Sequence, residues 1–189
     1  ILLGVNYGKW QDMLVMGIAT IGVTIPSFVI ASILIYVFSF RLNWLPTFGL
    51  DSWKGYVLPV ITLGGYSVSY LARQMRSSLL EVMGQDYIRT ARAKGLSETK
   101  VIFKHALRNA LIPVITVLGP TIANLLTGSF VVEQIFAIPG LGVHFVNSVS
   151  QRDYTTIMGV TVFYAAFLLA MVFLVDIFYC LIDPRIKYD

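Results

Sequence analysis

The sequence predicts an all-α polytopic membrane protein with at least four complete spanning helices. Hydrophobic residues make up 57% of the 189 positions and charged residues 13%, and the mean hydropathy is +0.76, so the chain is far more apolar than one soluble core requires. The charges are clustered and leave long uncharged windows between them. Because unpaired backbone groups are costly in lipid, these windows are predicted to be helices.

Four windows are long enough, or nearly so, to cross about 30 Å of hydrocarbon, which takes on the order of 20 residues. They are 13–40, 56–78, 110–132 and 154–182. Pro26 predicts a kink in the first. Arg73 and Arg76 extend the second, since their aliphatic stems can reach the interface. Asp176 interrupts the last window near its predicted cytoplasmic end, where we expect it to pair with a base.

The distribution of Lys and Arg predicts the orientation of the chain. Four spans place eleven bases on the side that holds the central loop, 79–109, and the C-terminus, and only Arg41, Lys54 and Arg152 on the other. Cytoplasmic connections carry such an excess, so the central loop and the C-terminus are predicted to be cytoplasmic. The opening residues ILLGV resemble the tail of another apolar segment, and a further, truncated span is expected there.

The central loop is predicted to form two helices joined at a tight corner. Good helix formers run over 79–94. Gly95 is the residue type that adopts positive φ where a helix stops, and Ser97 is placed to cap a second helix that starts at the next residue. Such a shaped corner is more than a topology signal needs, and it favours a docking element for a protein partner.

A basic stripe is expected on the second helix of the loop. Lys100, Lys104 and Arg108 recur every four residues, and VIF at 101–103 offers apolar contact surface. Membrane topology alone, or attraction to anionic lipid headgroups, would also account for these bases. No recognisable nucleic-acid-binding module accompanies them, so nucleic acid is not an expected partner.

Five stretches of the sequence resemble the membrane subunits of bacterial ABC importers, in their peptide/nickel branch. They are QDYIRTARAKGLS, KHALRNALIPVITVLG, RLNWLPTFG, VVEQIFAIPGLG and LIDPRIK. The first two are similar to the cytoplasmic EAA loop of these subunits, whose general pattern is matched at Ala91, Gly95 and Leu107. The resemblance implies a single permease domain over 1–189, with the fold of a type I (MetI-like) importer transmembrane domain.

The same resemblance implies the partners and the cargo. A second homologous permease subunit would form the other half of the pathway, two cytoplasmic ATPase subunits would bind ATP and Mg²⁺, and an extracytoplasmic solute-binding protein would deliver the solute. The chain lacks GxxxxGK[ST], so we expect it to bind no cofactor itself. Di- or oligopeptides are the expected solutes, with a nickel chelate or glutathione as alternatives, and the bacterial cytoplasmic membrane is the expected location.

Residues of the loop are expected, by resemblance, to couple to the ATPase. They are Arg89, Thr90, Ala91, Arg92, Ala93, Lys94, Gly95, Leu96, Ser97, His105 and Leu107. Arg89 and Arg92 would pair with acidic groups on the ATPase or remain solvated. Ala91 and Ala93 would admit a partner helix closely, or would serve only as good helix formers.

Polar residues in the spans are the candidates for lining the pathway, although each could equally satisfy itself within a helix. They are Ser67, Ser69, Asn124, Thr127 and Ser129. The segment 133–153 is predicted to be extracytoplasmic. Its Glu133, Pro139 and Gly140 are candidates for receiving the binding protein or gating the outer mouth.

Two rival function classes are less well supported. An intramembrane enzyme would need a catalytic set, but HExxH and GxSxG are absent, and His105 and His144 lie on opposite predicted sides of the membrane. A secondary carrier normally needs ion-coupling carboxylates at mid-membrane, where the sequence offers only Asp176. The lone Cys180 is expected to be ordinary packing, and neither a catalytic nor a metal site is predicted.

Overall fold

The computed structural model describes residues 9–182, and this part of the chain is built from helices without any strand. The helices are α1 (Trp10–Thr24), α2 (Ser27–Leu34), the π-helical π1 (Ile35–Arg41), α3 (Trp53–Met83), α4 (Asp86–Ala93), α5 (Glu98–Lys100), the π-helical π2 (Val101–Ala106), α6 (Leu107–Thr127), α7 (Phe130–Phe136), α8 (Leu141–Gln151) and α9 (Tyr154–Ile182). The all-α fold predicted from the sequence is confirmed. The side chains of Thr127, Asp176 and Cys180 lie outside the described residues, as do the expectations placed on the last two.

Helices α3 and α6 form the centre of the bundle. Helix α3 packs against α1 and α6, and α6 packs in turn against α9. Within the described residues, the stretches Glu98–Phe136 and Tyr154–Val175 are long and apolar enough to cross a membrane. A third crossing is counted if α1 and the arm formed by α2 and π1 are one bent span. Helix α3 has 31 residues but is less apolar, so the count of four spans stays a prediction.

The first predicted span is not a single kinked helix. Helix α1 and the arm formed by α2 and π1 meet at an angle of 108°. Pro26 has no backbone N–H and disfavours helical geometry in the residue before it, so Ile25 is extended, with φ −80° and ψ 126°. The consequence is a sharp corner at the position where the sequence predicts a kink in the span over 13–40.

A buried ion pair ties α1 to α3. The Arg76 guanidinium donates two hydrogen bonds of 2.7 Å to the Asp12 carboxylate, whose side chain is only 3% exposed. The sequence predicts that the Arg76 stem can reach the membrane interface, which stays a prediction; in the structure an acid 64 positions away in the chain holds its guanidinium.

Two other predicted helices are interrupted. The helix expected over 79–94 stops at Met83 and starts again at Asp86, so α4 is separate from α3. The span expected over 110–132 ends at Thr127, because Gly128 has φ +80°, a conformation that L side chains rarely adopt. The short helix α7 that follows packs into an apolar cluster with α2 and α3, which contains Ala31, Leu58, Val132 and Phe136.

Candidate functional site

The predicted glycine corner is present in the central loop. Gly95 has φ +76°, and its backbone N–H donates to the Arg92 carbonyl at 2.9 Å, closing the end of α4. A Cβ at this position would meet no atom within 4 Å, so backbone conformation rather than space makes glycine the fitting residue. Ser97 occupies the position before α5 as predicted, but its side chain makes no capping hydrogen bond.

An ion pair spans the corner. Arg92 Nε donates to Glu98 Oε1 at 2.6 Å and thereby joins the end of α4 to the start of α5. From the sequence, Arg92 is expected to pair with an acidic group on the ATPase or to remain solvated. In the structure it forms an ion pair with Glu98 of the same loop. Arg89 lies 3.6 Å from Asp86 with both side chains largely exposed, which is a weak surface pairing that leaves Arg89 accessible.

The loop folds on a small core of its own. Ala91, Val101 and Ala106 are buried in one cluster with Leu79 at the end of α3 and with Ala110 in α6. The small side chain of Ala91 therefore lets other segments of its own chain pack closely against α4. The apolar surface expected from VIF at 101–103 is also mostly internal, since the first two of these side chains are buried.

A groove remains on the outside of the loop. It has a volume of about 550 Å³ and is lined by Ser97, Thr99, Lys100, Phe103, Lys104 and Arg108. Phe103 is 57% exposed among three bases, so the predicted basic stripe surrounds one apolar side chain. Among the other predicted coupling residues, Thr90, Ala93 and Lys94 are exposed, and Leu96, His105 and Leu107 are half-buried.

A cavity of about 1290 Å³ opens between the helices. Its walls come from α1, α2, α3, α6, α7, α8 and α9. Ser67, Asn124 and Ser129 line it, as the sequence analysis proposes for the pathway. Ser69 does not, because it is buried against Gly22 of α1, where a Cβ on the glycine would clash with its hydroxyl. Thr127 lies among the side chains that are not described.

Most polar side chains of the cavity are not among those that the sequence suggests for the pathway. Three tyrosines, Tyr66, Tyr70 and Tyr164, line it together with threonines of α3, α6 and α9. The Tyr164 hydroxyl donates a hydrogen bond to the Asn124 side-chain carbonyl, which joins α9 to α6 across the wall. The four-residue helical spacing of Tyr66 and Tyr70, with Ser67 and Ser69 between them, was the available signal.

The Glu133 side chain is buried and is not exposed on the surface. Its carboxylate is packed against Gly128 and Gly140, where a side chain on either glycine would clash with it. Its Oε2 accepts the backbone N–H of Val143 at 3.0 Å, in the first turn of α8. Only 6% of the Glu133 surface is exposed, so its own chain encloses it in this structure, and its candidate roles in receiving the binding protein or gating the outer mouth stay predictions. Pro139, in contrast, is exposed on the connection before α8.

A second acid caps the next helix. Asp153 precedes α9, and its carboxylate accepts the Thr156 hydroxyl at 2.6 Å and the Thr156 backbone N–H at 3.1 Å. These two hydrogen bonds hold the pKa of Asp153 below its ordinary value, with the hydroxyl as the larger cause. Within the described residues, no three His, Cys, Asp or Glu side chains gather in a way that could hold a metal ion.

The family of the chain follows from comparison with known sequences. The model of the binding-protein-dependent transport system inner membrane component family matches residues 1–188 of the 189. The chain belongs to this family. Together with the apolar helices, this shows a multi-pass inner-membrane protein. The permease fold class that the sequence predicts is confirmed.

Relatives within the family are similar along the whole chain. The dipeptide transport system permease protein of Bacillus subtilis (strain 168) is 54% identical over 187 residues, 99% of this chain and 61% of the relative. The glutathione transport system permease protein of Escherichia coli (strain K12) is 46% identical over 188 residues, 100% of this chain and 61% of the relative. The chain thus spans about three fifths of the length of these relatives.

Proposed function

We propose that the chain is the membrane-spanning permease subunit of an ATP-driven importer for short peptides and forms half of the translocation pathway. The observation that carries this proposal is the corner at Gly95, with the exposed Phe103 and three bases beside it. This is a preformed surface on which a cytoplasmic ATPase could pull. The inter-helical cavity is the half-pathway that such a pull would reshape.

The loop suits the transmission of force because it is joined firmly to the bundle. Its buried cluster includes Leu79 of α3 and Ala110 of α6, so a displacement of α4 moves the inner ends of both central helices. ATP binding would draw two ATPase subunits together and carry the loops with them. The bundles would then tilt as rigid bodies, and hydrolysis would reset them.

The partners in this proposal are a second homologous permease, two ATPase subunits and an extracytoplasmic binding protein, and the loop and C-terminus face the cytoplasm. ATP hydrolysis belongs to the ATPase partners. Peptides are the preferred cargo because the relative of higher identity is named for dipeptides. Glutathione, itself a modified tripeptide, is the second candidate because another relative is named for it.

Co-purification tests the proposal. The full-length chain, tagged and expressed with the neighbouring transport subunits of its organism, is expected to retain two ATPase subunits and a second permease in detergent. ATP hydrolysis by this complex should rise when the binding protein is added with a dipeptide. Solute uptake by the isolated chain in vesicles, without ATPase and without ATP, would contradict the proposal. Parallel assays with glutathione and a nickel chelate would identify the cargo.

Phe103→Ala is expected to weaken the association with the ATPase while leaving the permease folded. The side chain is 57% exposed, so its removal leaves no cavity inside the chain. An aromatic residue at the centre of an interface contributes roughly 2 kcal/mol, which corresponds to about thirtyfold in affinity. Rebinding of purified ATPase to permease in nanodiscs measures this. Phe48→Ala, at a phenylalanine 62% exposed outside the loop, is the matched control and should bind normally.

A further inference from the structure

The inter-helical cavity has no charged residue in its wall, among the part of the chain that is described. Its polar groups are hydroxyls and one amide, so any preference for the charge of a solute must come from oriented dipoles and from charges placed behind the wall. Two threonine hydroxyls, the aromatic rings and one carboxylate behind the wall can be followed in the structure, and these groups favour cations and N–H donors.

Two threonine hydroxyls present oxygen rather than hydrogen to the cavity. Thr121 and Thr161 each donate their hydroxyl hydrogen to the backbone carbonyl four residues earlier, at 2.6 and 2.8 Å. The lone pairs of each oxygen remain as acceptors. Aromatic side chains add to this sign, because ring faces attract cations and not anions. They are Tyr66, Tyr70, Phe130, Phe145, Phe163 and Tyr164.

A helix N-terminus at the same wall would have the opposite sign. Helix α8 begins with Leu141 and Gly142, both of which line the cavity, and an open N-terminus carries about half a positive charge. Glu133 offsets this, since its side-chain Oε2 accepts the Val143 N–H and places the carboxyl oxygens at that turn. The carboxylate also lies against Gly128, a cavity-lining residue without a side chain to shield it.

We propose that the cavity favours solutes that present ammonium and N–H donor groups over solutes that present additional carboxylates, and that Glu133, behind the wall, supplies much of this preference. The inference deepens the proposed function and rests on it. Glu133 acts as a positioning and field-setting residue, because its burial keeps it from touching the solute.

Uptake of three dipeptides of similar size tests the inference. The complete complex is reconstituted in vesicles with saturating, solute-loaded binding protein, so that the maximal rate reports the passage and not the capture. Alanyl-lysine is expected to move faster than alanyl-glutamine, and alanyl-glutamine faster than alanyl-glutamate, with about fivefold between the extremes for one charge near the wall. Glu133→Gln keeps the shape and an acceptor for Val143, and should reduce that ratio to about twofold or less.

Glu81→Gln is the matched control, because Glu81 is exposed at the inner end of α3 and does not line the cavity; its ratio should equal that of the unmodified complex. If Glu133→Gln does not assemble, Thr161→Val tests whether acceptors in the wall set the preference. This variant removes one acceptor and keeps the shape of the side chain, and it should lower the ratio of the rates measurably. Equal maximal rates for the three peptides in the unmodified complex would overturn this inference alone. If none of the three peptides is taken up in an ATP-dependent manner, the proposed peptide function and the inference are overturned together.

Discussion

Gly95→Val is expected to uncouple ATP hydrolysis from transport. Valine at φ +76° is strained by about 1–3 kcal/mol, and the loop would relieve the strain by rotating α4 against α5. The surroundings are open, so the loop can change its shape without a clash that would unfold the protein. We expect basal ATP hydrolysis to persist, while stimulation by the loaded binding protein and peptide uptake both fall about tenfold, the effect of roughly 1.4 kcal/mol.

Two controls separate conformation from bulk at this corner. Gly95→Asn introduces a side chain of comparable size, but asparagine tolerates positive φ, and coupling should be nearly normal. Gly84→Ala alters a glycine of the same loop with φ −82° and should have little effect. Normal coupling in Gly95→Val would show that the corner is not the element through which the ATPase acts.

Arg76→Met is expected to destabilise the whole bundle. The Asp12 carboxylate would stay buried at 3% exposure and lose two hydrogen bonds of 2.7 Å. Removing one partner of a buried ion pair typically costs about 3–5 kcal/mol, a large part of the stability of any protein. The expected result is a lower yield of permease in the membrane and a lower midpoint in thermal unfolding of the purified complex.

The double variant Asp12→Leu with Arg76→Met should recover most of this stability, because it removes both charges and leaves apolar side chains of similar size. Arg73→Met, at an exposed arginine one turn earlier in α3, should change stability by less than about 0.5 kcal/mol. Equal losses in the double and the single variant would mean that the pairing itself is not what holds α1 to α3.

Local features of the sequence predicted the fold class and the corner of the loop. Apolar windows in a chain with few charges can be recognised as membrane helices without any knowledge of tertiary contacts. The reason is that the free energy of burying such a window in lipid depends on its composition. The positive φ of Gly95 is similarly local, because glycine is the residue that adopts this conformation freely. Polarity alone selected Ser67, Asn124 and Ser129 as candidates for the pathway, which stays a prediction; these three line the cavity, whereas Ser69, selected by the same argument, does not.

Contacts between residues that are far apart in the sequence could not be predicted from local features. The sequence by itself determined that helices form, that most are apolar, and where the loop turns, because each depends on neighbouring residues. Only the tertiary structure decided that Asp12 meets Arg76, that Glu133 caps α8 beside two glycines, and that Arg92 pairs with Glu98 across the corner. The physical reason is that a charge or a hydroxyl can be satisfied by many groups, and the packing of the helices selects which of them comes within hydrogen-bonding distance.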